Sequence, residues 1–454
     1  MRKKPGDVTT SYILWKFHPK SRGPHRGQTV EHMAADIPRK NHVGAFLQAQ
    51  DGLYMVLPDG IELGKADIHI ARNFRNEILF TGHHVLVEGF TIELSAALRV
   101  SPPPAGHFVF RLLKSYSHRY KGSVDTTLQI GTHGLLEDST FVLNSCWDWH
   151  TGELARDGEY VKKLKHRWGD IRRAWFQVKA GYNDSYTVNA MSHSVLRYNS
   201  FYGHVNALHV RTKSKISAHR NIDIHNNLVV NAGDDAIEPE GPAVNMRIYE
   251  NKLSLFLNGV SDAPCRIGPV FIVRNIFHRF MQGAFKVKNG ADGQALYYHN
   301  VCYPNMKDLK LCSNTPDGGT ACAPSTTDGV RWMRTRNNIL IGRRRPMHLN
   351  KKRFPLVKIA SLDYDYNCLW GMTGKKYKTM LPEPHSVWGL PKFIDTEKGD
   401  LRIIDDKQPG VDVGAVIKGI NDEVPAPYQF KGKGPDMGLY EAGSPLPHYG
   451  PRAK

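Results

Sequence analysis

The chain has 454 residues, which exceeds one ordinary globular domain but lies within the length that a repeat protein reaches as one body. Hydrophobic residues make up 41% of it and aromatic residues 10%, so a buried core is expected and wholesale disorder is excluded. The 61 Lys and Arg against 43 Asp and Glu give a formal charge of +18, which favours an anionic partner such as an acidic polysaccharide. The basic residues are scattered and form no nucleic-acid-binding motif, so we expect no specific nucleic-acid partner.

The start of the chain is unlike the rest. Residues 1–45 are polar, rich in His and Arg and without a clear period, which indicates an N-terminal tail or cap. This basic start lacks the apolar segment of a signal peptide. No apolar run of about 18 residues occurs in the chain, so we expect no membrane span.

Short β-rich runs begin near Leu53. Residues 84–93 alternate apolar and polar side chains, the period of a half-buried strand, and residues 139–143 look like the next turn of such a structure. His83 and His84 open the first run; adjacent strand residues point to opposite faces, so we do not expect these two to chelate a metal.

Two segments are predicted to be loops inserted between turns. They are the charged stretch 148–173 and the stretch 303–328, which is rich in Pro, Gly and Thr. Cys302, Cys312 and Cys322 flank the second loop, where either a local disulfide or buried thiols would fit. No cysteine spacing typical of zinc sites occurs.

An Asn, one intervening residue and a large apolar residue recur through the middle of the chain. The pattern starts at Asn199, Asn226, Asn251, Asn275, Asn300, Asn337 and Asn367, and the first four intervals are 27, 25, 24 and 25 residues. Such a period indicates a repeat architecture. Three short strands in each period favour a parallel β-helix, in which turns stack at about 4.8 Å. We expect each Asn to occupy a coil corner with left-handed dihedral angles and to bond its amide to the next amide in the stack.

The predicted fold class is therefore all-β: a right-handed parallel β-helix (solenoid) over residues 46–442 with terminal caps, followed by a C-terminal tail at 443–454. Leucine-rich repeats and propellers are disfavoured because their signatures are absent. Residues 195–206, 221–240, 245–253 and 268–300 resemble right-handed parallel β-helix repeat proteins, among them polysaccharide lyases, pectin-type glycoside hydrolases and phage tailspikes. The resemblance implies a secreted or cell-surface location; we also expect a monomer.

Counting from each Asn predicts which side chains share a face. Arg211 and Glu238 both lie twelve residues after their Asn, so we expect them to stack one turn apart. The predicted outward column contains Lys179, Arg211, Glu238, Arg266 and Lys288, and a neighbouring column contains His209 and Lys286.

The segment from residue 176 to residue 211 is loosely similar to the alginate and chondroitin lyase family of the β-helix fold. That family uses a Lys base and an Arg acid, and Lys179 and Arg211 fall where the pair would lie. The resemblance implies β-elimination on an acidic polysaccharide, with Arg211 as acid or charge neutraliser. The remaining catalytic candidates are His209 and Glu238; the sugar-binding candidates are Glu240, Lys286, Lys288, Arg266, Trp147 and Trp149.

The motif at 233–241 is the densest carboxylate cluster of the chain. Asp234, Asp235 and Glu238 could bind Ca²⁺ through oxygen ligands. Glu238 and Glu240, about 6.6 Å apart along an extended strand, could instead serve an inverting glycoside hydrolase. The Gly-Asp-Asp is similar to pectin-type hydrolases, whose Asn-Thr-Asp and Arg-Ile-Lys blocks are missing here.

Non-functional explanations of the same residues stay open. The two aspartates could form a turn, Arg211 and Glu238 a surface ion pair, and the tryptophans a cover for the core edge. A non-catalytic glycan-binding or structural β-helix surface protein is the alternative to an enzyme.

Overall fold

The structure is a computed structural model, and it describes the chain in segments. These are residues 46–48, 53–55, 77–81, 83–93, 97–101, 106–117, 126–143, 147–148, 153–156, 159–160, 186–204, 206–210, 219–262, 266–287, 291–304, 320–324, 330–343, 345–347, 362–372, 374, 383–425 and 428–453. The predicted tail or cap at 1–45 lies outside them. In these segments every regular element is a strand, so the all-β prediction is confirmed.

One face of the molecule is a sheet of ten parallel strands, here called sheet 1. Its strands follow chain order from one end of the stack to the other, as successive turns of a solenoid must. They are Leu86–Glu88, Val109–Arg111, Leu135–Glu137, Val195–Arg197, His219–His225, Ala243–Tyr249, Val270–Val273, Ala291–Tyr298, Val330–Arg336 and Leu362–Tyr364.

A second sheet of eighteen strands, sheet 2, covers the remaining circumference. Its strands are Glu77–Thr81, Thr91–Glu93, Ala97–Ser101, Lys114–Ser117, Thr126–Gln129, Thr140–Leu143, Tyr186–Asn189, Ser200–Tyr202, Asn206–His209, Leu228–Glu238, Lys252–Asp262, Ile276–Phe280, Gly283–Val287, Val301–Pro304, Thr320–Pro324, Ile339–Gly342, Cys368–Gly371 and Val387–Trp388. Most turns contribute two strands to this sheet. In two turns one long strand, Leu228–Glu238 or Lys252–Asp262, occupies the positions of both strands. This is a parallel β-helix of the right-handed type, as predicted.

The other described strands form small antiparallel sheets. Phe46–Gln48 pairs with Leu53–Met55, and Phe393–Asp395 with Asp400–Ile403. Trp147–Asp148, Glu153–Arg156 and Glu159–Tyr160 form a three-stranded sheet inside the predicted insertion 148–173. In the predicted insertion 303–328, Thr320–Pro324 is a solenoid strand.

The core is the inside of the coil. Alternate residues of each strand point inward, and equivalent positions stack from turn to turn. Ile224, Ile248, Ile272 and Tyr297 form one such column, and all are fully buried. Cys302 is also buried in the core as a thiol, so of the two alternatives for this loop a local disulfide does not include it. The described residues contain no helix long and apolar enough to cross a bilayer.

A ladder of asparagines closes one corner of the coil. Each member is fully buried and bonds to the next: its backbone N and its Nδ2 donate to the Oδ1 of the following Asn at 2.9–3.1 Å. Nδ2 of Asn251 also donates to the carbonyls of Ile224 and Tyr249. Serines take over at the two ends, since Ser139 N donates to Asn199 and Asn367 N donates to Ser386 Oγ.

The members of the ladder differ from the prediction at two turns. They are Asn199, Asn227, Asn251, Asn275, Asn300, Asn338 and Asn367, so Asn226 and Asn337 were each one residue too early. The left-handed angles also belong elsewhere: the residue before each ladder Asn has a φ of 52° to 58°. Asn226 and Asn337 occupy this preceding position, where Asn is well tolerated, and the ambiguity of an Asn-Asn pair explains the error.

The C-terminal segment runs back along this corner, towards earlier turns. Gly438 O bonds to His299, Leu439 O to Arg274, and Tyr440 OH donates to Glu250 at 2.7 Å. Residues 443–453, predicted as a tail, continue along the same side. Arg452 ends the path by pairing with Asp138.

Candidate functional site

The predicted carboxylates lie on one irregular strand of sheet 2. Asp234, Asp235 and Glu238 belong to Leu228–Glu238, and Glu240 follows it directly. The pairing of this strand with Lys252–Asp262 shifts register between Ala232 and Asp235, which is a β-bulge. Residues 232–238 are all buried, so the bulge brings polar groups into a place that regular alternation would give to apolar side chains.

Asp235 is the best-anchored member of this group. Its carboxylate is fully buried, accepts a hydrogen bond from Asn258 Nδ2 at 2.9 Å and forms a short ion pair with the Lys286 ammonium. Burial alone would lower the pKa of Lys286, but the charges of Asp235, Asp234 and Glu238 outweigh it and raise that pKa. Lys286 therefore stays charged and is committed to Asp235.

Glu238 lies next to His209. The two residues are direct partners on neighbouring turns, and His209 Nε2 is 3.7 Å from Glu238 Oε2. Burial, followed by the charges of Asp235 and Glu240, raises the pKa of Glu238 well above its usual value. Among the described residues, nothing forms a hydrogen bond with the buried Oε2 of Glu238.

Two overlapping sets of possible metal ligands share Glu238. Asp234, Asp235 and Glu238 offer oxygens within 4.8 Å of one another, and so do His209, Glu238 and Glu240 with one nitrogen and two oxygens. We call these five residues together with Lys286 and Asn258 the acidic cluster. The all-oxygen set is the kind of site that Ca²⁺ prefers, with waters completing its coordination.

A further carboxylate group, at Asp412, Asp436 and Glu441, also meets within 4.8 Å. Here the carboxylates already serve the loop: Asp436 accepts from the backbone N of Asp412 and Ala442, and Glu441 from those of Lys431 and Asp436. We therefore assign it a structural role.

The structure brings together His209, Glu238 and Lys286 rather than the predicted outward column. The prediction that Glu238 stacks on Arg211 is wrong, because Glu238 pairs with His209. His209, Glu238 and Lys286 lie in one column of stacked positions. Ser261 connects Glu238 to Lys286 in this column, because Ser261 is the direct partner of Lys286 on the neighbouring turn. Arg266 is exposed and bonds through its backbone to Gly241.

Several predicted residues lie outside the described part of the chain. These are Lys179, Arg211, Lys288 and Trp149, together with the side chain of Trp147. The expected spacing of Glu238 and Glu240 can be compared with the structure. Their closest oxygens lie within 4.8 Å, less than the separation of roughly 6.5–9.5 Å typical of inverting hydrolases.

Two features of the site were missed by the sequence analysis. Asn258 holds Asp235, and only the register of neighbouring turns could have indicated it. Tyr297 OH donates a short hydrogen bond to Asp262, next to the Lys286 partner Ser261. Burial raises the pKa of Asp262 to about 7, although the bond from Tyr297 opposes the shift.

Comparison with known proteins adds no relative. No protein-family model, no curated protein and no solved structure matches the chain.

Proposed function

We propose that the protein is a carbohydrate-active enzyme that cleaves an acidic polysaccharide by β-elimination, assisted by a divalent cation. The supporting observation is the set of oxygens from Asp234, Asp235 and Glu238, which lie within 4.8 Å of one another on one strand. A secreted or cell-surface location remains a prediction from the fold analogy.

The charge of the acidic cluster explains why a cation is needed. Four carboxyl groups meet one lysine and one histidine there, so an anionic polymer would be repelled. The residues fit a hard cation such as Ca²⁺, because they offer oxygen ligands and because the buried Glu238 Oε2 has no hydrogen-bond partner among the described residues. When bound, Ca²⁺ would pair with the uronate carboxylate and make the proton on the adjacent carbon easier to remove.

The protein's own residues take the remaining roles. Lys179 is the proposed base and Arg211 the proposed acid or charge neutraliser, as the lyase resemblance implies. His209 is a second candidate base, since it lies beside Glu238 in the acidic cluster. Lys286 and Asn258 hold Asp235 in place, so Lys286 supports the site rather than contacting sugar. Glu240, Lys288, Arg266, Trp147 and Trp149 stay proposed sugar contacts.

Glycoside hydrolysis is a second candidate because of the raised pKa of Glu238. A carboxyl group whose pKa is raised by burial and by neighbouring carboxylates can act as a general acid towards the glycosidic oxygen. In that case Glu238 would act without a cation, so the two functions differ in their metal dependence and in their products.

The test is incubation of the full chain with a panel of uronate polymers, with Ca²⁺ or with EDTA. Absorbance of the unsaturated product and release of reducing ends are measured separately. We expect both to rise, and only with Ca²⁺. Reducing ends alone, independent of Ca²⁺, would indicate a hydrolase. Absence of both signals with polymer binding retained would refute catalysis and favour the glycan-binding alternative.

A matched pair of variants tests the site itself. Asp234→Asn removes one carboxylate charge from the cluster with almost no change in shape, and we expect it to abolish the Ca²⁺-dependent activity. Asp223→Asn makes the same change on sheet 1, where Asp223 pairs with Arg247, and should leave activity unchanged. Equal activity in both variants would exclude the acidic cluster as the site.

A further inference from the structure

A column of four histidines lies on the corner that leads into sheet 1. His84, His107, His133 and His193 each come two residues before a strand of that sheet, and all four are exposed. Their rings stack in order, with centroids 4.5, 4.9 and 4.6 Å apart and planes within 15° of parallel. We call this column the histidine ladder.

The backbone fixes the spacing of the histidine ladder. The backbone N of each histidine donates to the corner of the next turn, at Gly106, Thr132, Ser192 and Arg220 respectively. Neighbouring histidines are therefore held one strand spacing apart, about 4.8 Å. Their side chains project into solvent, where the rings can rotate about χ1 and χ2.

The local backbone explains part of this choice of residue. All four histidines have left-handed angles, with φ between 56° and 62°, and His is enriched there together with Asn and Asp. The same corner position in the next two turns is filled by Asn221 and Asn245. Since Asn satisfies the backbone equally well, the fold alone does not require four consecutive imidazoles.

We propose that adjacent imidazoles of the histidine ladder bind a transition-metal ion of the Cu²⁺, Ni²⁺ or Zn²⁺ class. Imidazole nitrogen is a preferred ligand of these ions. Two His one helical turn apart, with Cβ atoms about 5–6 Å from each other, bind one zinc in helical metal motifs. The turn-to-turn spacing of the histidine ladder is similar.

Binding requires a small rearrangement of the rings. A metal–nitrogen bond of about 2.1 Å limits two nitrogens on one ion to roughly 4.2 Å, so stacked rings must tilt towards each other. Exposure allows this tilt, and waters would complete the coordination shell. Four histidines form three adjacent pairs, so up to two ions can bind through separate pairs.

The test is calorimetric titration of Ni²⁺ into the full chain, about one pH unit above the usual imidazole pKa of 6.5. Ca²⁺ is present throughout, because oxygen ligands such as those of Asp234 select it, which keeps the test independent of the proposed function. The double variant His107→Asn/His133→Asn leaves His84 and His193 about 14 Å apart, so no adjacent pair remains. We expect its Ni²⁺ affinity to fall by more than about a hundredfold, beyond the roughly 10- to 100-fold that loss of an outer partner of a metal ligand typically causes.

Two controls separate metal binding from a structural effect. His448→Asn changes another exposed histidine and should leave Ni²⁺ binding as in the wild type. His133→Asn alone keeps the pair His84–His107 and should retain one ion.

With Cu²⁺, electron paramagnetic resonance should show nitrogen coupling that the double variant loses. Unchanged Ni²⁺ affinity or unchanged nitrogen coupling in the double variant would overturn the proposal.

Discussion

The asparagine ladder and the acidic cluster are both buried columns of polar side chains on stacked turns, but their hydrogen bonding differs. An amide donates and accepts, so each Asn satisfies its neighbours and the stack can be repeated at every turn. A carboxylate only accepts, so neighbouring carboxylates need a proton or a cation between them. The ladder is therefore complete in itself, whereas the acidic cluster has one lysine, one raised pKa and one buried oxygen without a hydrogen-bond partner among the described residues.

This difference separates a structural column from a candidate site. Breaking a neutral, complete network should only cost stability. Changing the acidic cluster should have effects of either sign, depending on whether a positive or a negative charge is removed. The following variants test that distinction.

Asn251→Ala should have the largest effect. It leaves the Asn227 amide, the Asn275 Oδ1 and the carbonyls of Ile224 and Tyr249 short of partners in the core. With about 1–3 kcal/mol for each unsatisfied group, we expect a loss of about 4 kcal/mol or more in the free energy of unfolding, measured in urea. Asn245→Ala, at a partly exposed corner, should lose only about 2 kcal/mol, through its left-handed backbone and its hydrogen bond to Asn221 Oδ1. Similar losses in the two variants would mean that the asparagine ladder contributes no more to stability than an ordinary corner residue.

Lys286→Met should have the next largest effect, because it leaves Asp235 as an uncompensated buried charge. We expect a loss of about 3 kcal/mol in the free energy of unfolding. This lies at the lower end of the range for a broken buried ion pair, because the Lys286 side chain is 16% exposed. Arg266→Met removes an exposed positive charge near the same strand and should change stability by less than about 0.5 kcal/mol. If both variants unfold at the same urea concentration, the Lys286–Asp235 ion pair contributes nothing to the free energy of unfolding.

Glu238→Gln should stabilise the protein at neutral pH. The folded-state pKa of Glu238 is raised, so above the ordinary value of 4.5 the folded state holds a proton that the unfolded state has released. Stability must therefore fall as pH rises through the folded value. Gln imitates the protonated form, so without metal the variant should match the wild type near pH 4.5 and exceed it by about 1 kcal/mol at neutral pH.

The measurement is the urea midpoint of both proteins across this pH range in EDTA. In the wild type, Ca²⁺ should restore stability at neutral pH, because the cation takes the place of the proton. A constant difference between the two proteins at every pH would contradict the assigned direction of the shift.

The fold was predictable because corner amides must recur once per turn, and the Asn period is visible in the sequence. The register was not, for two local reasons. Asn226 and Asn227 are indistinguishable by pattern, and the bulge at Ala232 and Asp235 adds a residue before Glu238. His209 therefore lies ten residues after its ladder Asn and Glu238 eleven, although the two are partners.

The carboxylates of the acidic cluster were predicted from their density, whereas their partners depend on neighbouring turns. The histidine ladder shows the same limit more strongly. Its intervals of 23 and 26 residues match the period near 25, but the third, of 60 residues, does not, because a longer segment joins those two equivalent corners.

Asn226→Gly should have the smallest effect and tests which Asn of the pair belongs to the ladder. Asn226 has a φ of 55°, and its side chain is bonded to His448 O and to His225 Nδ1, so glycine keeps the backbone angle and loses two bonds. Glycine relieves the left-handed strain while the two bonds are lost, so we expect a net change within about 1 kcal/mol. Asn227→Gly is the matched substitution one residue on, and it should approach the loss of Asn251→Ala because Asn227 bonds both Asn199 and Asn251. A larger loss at Asn226 than at Asn227 would mean that Asn226, the corner residue with left-handed angles, belongs to the asparagine ladder in place of Asn227.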